Sequence, residues 1–182
     1  DDLLPRALTR SRYTEAIIDV PGKLLLVNQS NSNRAENFVS QLRQALGSLP
    51  AALPRTVESP TSLMTAWLEQ SEAAGNFELD SDCELKGVGD AAPVVKISNQ
   101  DLAADEVKQH LEHGKICTQL GLVWNNQIRF ILNEDMSLKR IQYLDMLQEE
   151  AANQGDDMES LMTATQIIMT QNLSLLIQEL ID

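Results

Sequence analysis

The chain has 182 residues, of which 43% are hydrophobic, and this length fits one domain or two small lobes around a sizeable core. No apolar run approaches the roughly 18–20 residues that a membrane-spanning helix requires, so we predict no membrane contact. The formal net charge of −13 argues against nucleic acid as a partner, because duplex binding rests on Lys and Arg, although one concave surface can differ from the whole.

A β-hairpin followed by an amphipathic helix is predicted at the start of the chain. Residues 12–19 and 23–28 are typical of two strands that turn at the Pro-Gly pair of residues 21–22. Apolar residues then recur at steps of three and four from a capping box at Asn33 until Gly47 ends the helix. Strand, turn, strand and helix together form a packing unit of their own.

Two helices, an acidic loop and a short strand are predicted in the middle of the chain. Pro60 opens a short helix, and residues 72–90 indicate an acidic, glycine-containing loop with a short strand near 77–79. A further strand follows at residues 94–97. A helix over residues 103–113 begins at a hydrophobic staple and ends before a glycine.

The clearest pattern in the chain is an antiparallel meander over residues 115–143. Apolar residues fall on every second position in short runs, which Asn- and Asp-containing turns separate. The alternation predicts a buried face with Ile116, Leu120, Leu122, Trp124, Ile128, Phe130 and Leu132. The opposite, polar face carries Lys115, Gln119, Arg129, Arg140 and Gln142. This face either is simply solvated, as one face of an antiparallel sheet often is, or contacts a polyanion.

A long helix is predicted at the end of the sequence, after an acidic link over residues 148–157. Asp156 with Glu159 marks its start. Its apolar stripe is wide, and a helix that is apolar on more than one side needs more than one partner. Core packing within the monomer and a homodimer seam are both compatible with this stripe. The candidate interface residues on the helix are Met169, Leu173, Leu176 and Leu180.

The order of these elements predicts an α+β fold, because the strands come in hairpins and not in alternating strand–helix–strand units. Its antiparallel sheets, a hairpin and a three-stranded meander, pack with helices that include the long C-terminal one. We place a hairpin-plus-helices lobe at residues 1–78 and a strand, helix, meander and long-helix lobe at residues 79–182. The sequence opens on Asp with a pattern already under way, so we expect a piece of a longer chain.

Few residues suggest catalysis or a metal site. His110 and His113 are three apart, whereas zinc-binding helices favour a spacing of four, and no third ligand lies nearby in sequence. Asp80, Asp82 and Glu84 resemble a carboxylate cluster but lack the glycine and distal glutamate of an EF-hand, so a solvated acidic loop is preferred. The two cysteines form no CxxC motif, which suits reduced thiols in the cytoplasm. We predict no enzyme, no metal and no cofactor.

Four short strings carry a resemblance to a known family: Leu3-Leu4-Pro5-Arg6-Ala7, Leu46-Gly47-Ser48-Leu49-Pro50, Gln100-Asp101-Leu102 and Ser137-Leu138-Lys139-Arg140. Together they resemble the RdgC family of bacterial recombination-associated proteins. The similarity runs in order through essentially all 182 residues, and because the family protein is longer, the chain resembles its C-terminal part. The resemblance implies a sequence-tolerant DNA-binding protein that closes as a ring-shaped homodimer around duplex DNA and restrains RecA-dependent recombination.

Two positions depart from the family pattern. The family can place Lys where Asn99 stands, at a position tied to DNA contact, although Gln100 is retained. It can also place an aromatic residue where Leu8 stands, at a ring-closing contact. The resemblance therefore adds Leu8 to the candidate dimer interface, while both departures weaken the transfer of residue roles.

The resemblance and the polar face of the meander together define candidate DNA contacts. They are Arg10, Arg12, Lys96, Gln100, Lys115, Arg129, Lys139 and Arg140. The predicted partners are double-stranded DNA, with single-stranded DNA left open, a second copy of the chain and a functionally opposed RecA-type recombinase. The predicted location is the cytoplasm, at the nucleoid. The alternative is a protein-interaction module with no direct DNA contact, which the net charge of −13 favours.

Overall fold

The structure is a computed structural model that describes most of the chain. The described residues are 13–56, 58–89, 92–152 and 157–181. The predicted contacts of Leu8, Arg10 and Arg12 lie outside these ranges. Helices and antiparallel sheets are both present, which confirms the α+β class. Within the described part, no helix is both long and apolar enough to cross a bilayer.

The chain divides into two compact units, one within Asp1–Ala52 and one within Leu53–Asp182. This division differs from the lobe boundary that we placed after residue 78. A boundary there would cut a strand that begins at Phe77 and continues to Lys86. Each unit is therefore described by itself.

The first unit contains the predicted hairpin and helix. Strands β1 (Glu15–Asp19) and β2 (Leu24–Asn28) pair antiparallel, and the turn between them covers the Pro-Gly pair as predicted. Helix α1 (Ser32–Leu46) starts at Asn31, whose side chain accepts the N–H of Arg34 at 3.1 Å. The cap thus lies two residues before the predicted one, because the Asn31 side chain accepts the free backbone amide of the third helical residue. None of the described residues of this unit is buried.

The second unit begins with helix α2 (Pro60–Gln70), which confirms the helix predicted from its proline. Ser59 precedes it, and its hydroxyl accepts the N–H of Ser62 at 3.1 Å, so the helix start is capped as well as shaped by the proline. The buried side chains of α2 are Met64, Trp67 and Leu68. These residues anchor the helix on the sheet described next.

A five-stranded antiparallel sheet forms the centre of the second unit. It contains the predicted meander and extends it by two strands. Its order is β4-β3-β5-β6-β7. The strands are β3 (Phe77–Lys86), β4 (Val94–Ile97), β5 (Ile116–Trp124), β6 (Ile128–Asn133) and β7 (Leu138–Tyr143). The acidic loop predicted over residues 72–90 is therefore wrong, because most of it is the ten-residue strand β3.

Three further helices complete the second unit. Helix α3 (Asp105–Glu112) has its C-cap at His113, where the sequence predicted the helix to end, and α5 (Met158–Ile181) is the predicted long C-terminal helix. The link predicted over residues 148–157 is partly wrong, since α4 (Asp145–Ala152) occupies its first half. Helix α4 was not predicted because its sequence is rich in polar residues. Its Leu147 is fully buried in the core.

One hydrophobic core lies between the sheet and the helices of the second unit. Its largest fully buried side chains include Phe130, Met64, Leu68, Leu120, Leu122, Leu132, Leu147 and Leu176. Ile116 is an exception to the predicted buried face, with 39% exposure, whereas Cys117 is fully buried. The cause is a bulge: Glu84 pairs with Gln119 and Leu85 with Cys117, so Thr118 is an extra residue that shifts the alternation of β5.

Candidate nucleic-acid interface

A wide bulge in β3 shapes the polar face of the sheet. Leu79 pairs with Leu122 and Cys83 pairs with Leu120, so a four-residue step in β3 faces a two-residue step in β5. Two extra residues must therefore be accommodated opposite Gly121. A Cβ at Gly121 would lie 3.0 Å from the carbonyl oxygen of Asp82, so the missing side chain provides the space for the bulge.

The bulge places two carboxylates beneath two arginines from the meander. The Nε atom of Arg129 lies 3.1 Å from the Oδ2 atom of Asp80. The Nη1 atom of Arg140 lies 3.7 Å from the Oδ2 atom of Asp82. Arg129 belongs to β6 and Arg140 to β7, while both acids belong to β3, so each pair crosses at least one intervening strand. The guanidinium groups thus lie over the polar face of the sheet.

A third ion pair continues the row towards β4. The Nζ atom of Lys96 lies 2.9 Å from Glu84, whose carboxylate also accepts the hydroxyl of Thr118 at 3.1 Å. The hydrogen bond from Lys96 lowers the pKa of Glu84 most, and Lys139 lowers it further through its charge. Glu84 is therefore a carboxylate at neutral pH, with two lysines close to it.

The backbone of Arg140 is unusual for a strand residue. Its φ is 52°, in the left-handed region, and the β6–β7 register is irregular between Arg129 and Ile131. This conformation costs a non-glycine residue about 1–2 kcal/mol. The irregularity lets the Arg140 side chain lean over the polar face towards Asp82, where 77% of the side chain is still exposed.

The structure brings together half of the predicted DNA contacts. Lys96, Lys139 and Arg140 line one small cleft, and Arg129 is linked to the same face through Asp80. Gln100 lies beside it: its backbone N–H donates to the carbonyl of the bulge residue Ser81 at 3.1 Å. The neighbouring Asn99 donates its backbone N–H to Asp82 at 3.1 Å, so the β4–α3 loop is fixed to the bulge.

Lys115 is not part of this cluster. It precedes β5, and its Nζ atom lies 3.1 Å from the Nδ1 atom of His110 on α3. Arg129 pairs with Val123, near the opposite end of β5. The sequence pattern placed Lys115 and Arg129 on the same polar face, but the two residues lie near opposite ends of β5.

The acidic residues of β3 form ion pairs that the sequence did not predict. Asp80, Asp82 and Glu84 were interpreted as a solvated loop, but each lies within ion-pair distance of a predicted DNA-contacting cation. Their spacing of two residues was a usable signal, because residues at i, i+2 and i+4 line one face of a strand. The apolar residues that would have completed the strand pattern are separated by the bulge.

Two of the predicted interface residues on α5 lie in the core of the same chain. Leu176 is fully buried and Leu180 nearly so, as the alternative of core packing within the monomer expects of this part of the stripe. Met169 and Leu173 are half-buried. The apolar residues that α5 does expose are Met158, Met162, Ile167 and Leu175.

Both cysteine side chains of the second unit are buried. Burial raises the pKa of the Cys83 thiol to about 12 and also raises that of Cys117, so both thiols stay protonated at neutral pH. Among the residues that the structure describes, no three His, Cys, Asp or Glu side chains are arranged to hold a metal ion.

The fold and this face define an α+β protein whose antiparallel sheet presents interleaved cations and carboxylates on its solvent side. A family model described as "Putative exonuclease, RdgC" matches residues 1–182. The chain therefore belongs to the RdgC family, as its motifs predicted. The family description contains the word exonuclease, whereas the relatives of this chain are named differently.

Several relatives are named recombination-associated protein RdgC. One from Neisseria meningitidis serogroup C is 59% identical over 182 residues, which are 100% of this chain and 61% of the relative. One from Laribacter hongkongensis is 50% identical over 181 residues and is covered to 60% of its length. One from Pseudomonas paraeruginosa is 39% identical over 155 residues, 85% of this chain and 51% of the relative. The chain thus spans about three-fifths of the first two.

Proposed function

We propose that this chain forms part of a sequence-independent, duplex-DNA-binding protein that acts in recombination. In this proposal the protein assembles as a ring-shaped homodimer around DNA at the nucleoid and restrains RecA-dependent strand exchange. Membership of the RdgC family and the relatives' names support the link to recombination. The chain itself acts as a non-catalytic binding element.

The observation that carries the proposal is the cluster of four cations on the polar face of the sheet. Lys96, Arg129, Lys139 and Arg140 come from three strands, and 74% of the Lys96 side chain is exposed. Long, exposed Lys and Arg side chains contact phosphate oxygens, which are the same for every base sequence. A face of this kind supports binding without sequence preference.

One observation favours the alternative function, a protein-interaction module without direct DNA contact. Three of the four cations already have a carboxylate within ion-pair distance. The chain as a whole carries a net charge of −13. A surface of interleaved charges of both signs can also bind a protein partner of complementary pattern.

The test is the removal of two arginines from the full-length protein. Arg129→Gln with Arg140→Gln should weaken duplex binding about equally for all DNA sequences. It should also flatten the dependence of log affinity on log salt by up to about two, because each lost phosphate contact releases about one counterion fewer.

A matched control removes two exposed positive charges elsewhere, by Lys23→Gln with Arg34→Gln in the first unit. Equal losses in the two double variants would mean that only overall charge matters. Unchanged affinity and salt dependence in the Arg129 and Arg140 variant, with an intact fold, would favour the protein-interaction module instead.

A further inference from the structure

The carboxylates of Asp80 and Asp82 occupy positions that hydrophobic packing does not require. They belong to the bulge in which β3 has two residues more than the facing part of β5. Their side chains lie on the solvent side of the sheet and are 20% and 29% exposed. A regular strand paired with β5 would not contain this excess. Bulges of this kind re-aim side chains and are common next to functional sites.

Gly121 in β5 is a second feature that accommodates the bulge. Gly121 leaves the space that the bulged backbone fills, since an added Cβ would also lie 3.4 Å from the Cβ atoms of Asp80 and Asp82. The Asp82 carboxylate in turn accepts the backbone N–H of Asn99 at 3.1 Å, which fixes its position. The two carboxylates are therefore held in place beneath Arg129 and Arg140.

The acids change the charge that the face offers to a polyanion. Four cations, Lys96, Arg129, Lys139 and Arg140, are opposed by three carboxylates, which leaves an excess of one positive charge. Without Asp80 and Asp82 the excess would be three. Because binding to DNA depends on the cations that neutralise phosphates, this difference bears directly on affinity.

We propose that Asp80 and Asp82 compete with DNA phosphate for Arg129 and Arg140. The two carboxylates hold the arginines in the free protein and thereby limit its affinity for DNA. This inference rests on the proposed function. When a phosphate takes an arginine, the carboxylate loses its partner and faces the incoming negative charge. The exchange is reversible because exposed ion pairs are weak.

The two pairs are not equivalent. The Arg129–Asp80 contact is shorter than the Arg140–Asp82 contact, and Arg129 is 48% exposed against 77% for Arg140. Less exposed charges are screened less by water and salt. Asp80 is therefore the stronger competitor of the two.

The test replaces both acids in the full-length protein by Asp80→Asn with Asp82→Asn. Asparagine keeps the size of the side chain and, at Asp82, an oxygen that can accept the Asn99 amide, so the bulge is preserved. Duplex DNA of mixed sequence should bind about two- to thirty-fold tighter at low salt, as expected for the loss of two exposed opposing pairs. The gain should shrink as salt rises, because screening weakens the repulsion that was removed.

A control of equal charge change is Glu69→Gln with Glu112→Gln, two exposed acids on α2 and α3. An equal gain in this control, or no gain in the Asp80 and Asp82 variant whose thermal unfolding is unchanged, overturns the inference. Among single variants, Asp80→Asn should increase the affinity for duplex DNA more than Asp82→Asn does.

The inference and the proposed function can fail separately. If removal of Arg129 and Arg140 weakens binding but removal of the two acids does not strengthen it, the face binds DNA and only the competitor role is wrong. If neither change alters binding, both proposals fail. In a protein that already lacks the two arginines, the acid replacements should lose most of their effect.

Discussion

Glu179 on α5 connects the long helix to the sheet through hydrogen bonds that its sequence position does not suggest. Its carboxylate accepts the backbone N–H of Asn76 at 2.8 Å and the indole N–H of Trp124 at 2.8 Å. The side-chain amide of Asn76 also donates to it at 3.1 Å. Gly75 lies against the same carboxylate, where an added Cβ would collide with it. We predict that Glu179→Gln destabilises the second unit.

The magnitude follows from which donors lose their acceptor. Asn76 is exposed, so water replaces Glu179 there at little cost. Trp124 is only 5% exposed, and an unsatisfied buried donor costs about 1–3 kcal/mol. A glutamine offers one neutral oxygen and one N–H₂ group in place of two charged oxygens. Either the Trp124 indole faces the N–H₂ group without an acceptor, or it keeps an oxygen but loses the charge that strengthened the bond, while the donors of Asn76 lose their acceptor. We expect a loss of about 2 kcal/mol, which corresponds to about 4–8 °C in Tm for a chain of this size.

The same contact predicts a pH dependence. The backbone N–H of Asn76, followed by the Trp124 indole, lowers the pKa of Glu179 below its ordinary 4.5. A lowered folded-state pKa means that the carboxylate stabilises the fold fully above pH 4.5 and loses this effect as the pH falls through the folded-state pKa. The difference in stability between wild type and Glu179→Gln should therefore be largest at neutral pH and shrink in acid.

Urea and thermal unfolding followed by tryptophan fluorescence measure this, because both tryptophans lie in the second unit. The matched control is Glu159→Gln, an exposed acid in the first turn of the same helix. Loss of its charge near the helix N-terminus should cost less than about 1 kcal/mol. Equal stabilities of the two variants, or a difference that does not change between pH 7 and pH 3, would refute the reasoning.

Three further predictions concern the bulge and DNA binding. Gly121→Ala should destabilise the sheet by about 1–3 kcal/mol in denaturant unfolding, because the added Cβ meets the Asp82 carbonyl oxygen at 3.0 Å, and a wild-type midpoint would contradict this. Footprints of the full-length protein on mixed-sequence DNA should show no preferred motif, and protection confined to one motif would contradict phosphate-only contact. The isolated 182-residue chain, with its net charge of −13, should bind duplex DNA weakly or not at all at physiological salt, whereas tight binding in a titration would contradict this.

Elements with unbroken periodicity were predictable from the sequence. The β5–β6 turn is an example, since Asn125 and Asn126 both adopt positive φ, which asparagine tolerates better than most residues. Helix α2 was predictable from its proline, and α5 from the length of its apolar stripe. In each case local sequence and tertiary contacts favour the same structure.

Strand β3 shows why the rest was not predictable. Its inward-facing apolar residues are the buried Phe77, Cys83 and Leu85 and the half-buried Leu79, and the bulge places the polar Ser81 where the next apolar residue would be expected. The bulge depends on Gly121, which lies some forty residues away in sequence, so no local window contains its cause. Both the cations Lys96, Arg129 and Arg140 and the acids of β3 could be named from the sequence. The ion pairs between them could not be predicted, because each pair joins residues far apart in the chain and the acids were assigned to a loop.

A positively charged face whose cations are partly neutralised by carboxylates is physically consistent with a protein that encloses DNA. If the dimer closes around the duplex as proposed, topology prevents dissociation, and each phosphate contact can be weak without loss of the DNA. Strong, unopposed contacts would instead hold the ring at one position, because every step along the backbone would break several of them at once. Under this proposal, Arg129 and Arg140 would exchange between the carboxylates of Asp80 and Asp82 and successive phosphates at a small difference in free energy, since exposed ion pairs differ little from one another. Loss of the carboxylates should therefore slow movement along DNA as well as raise affinity.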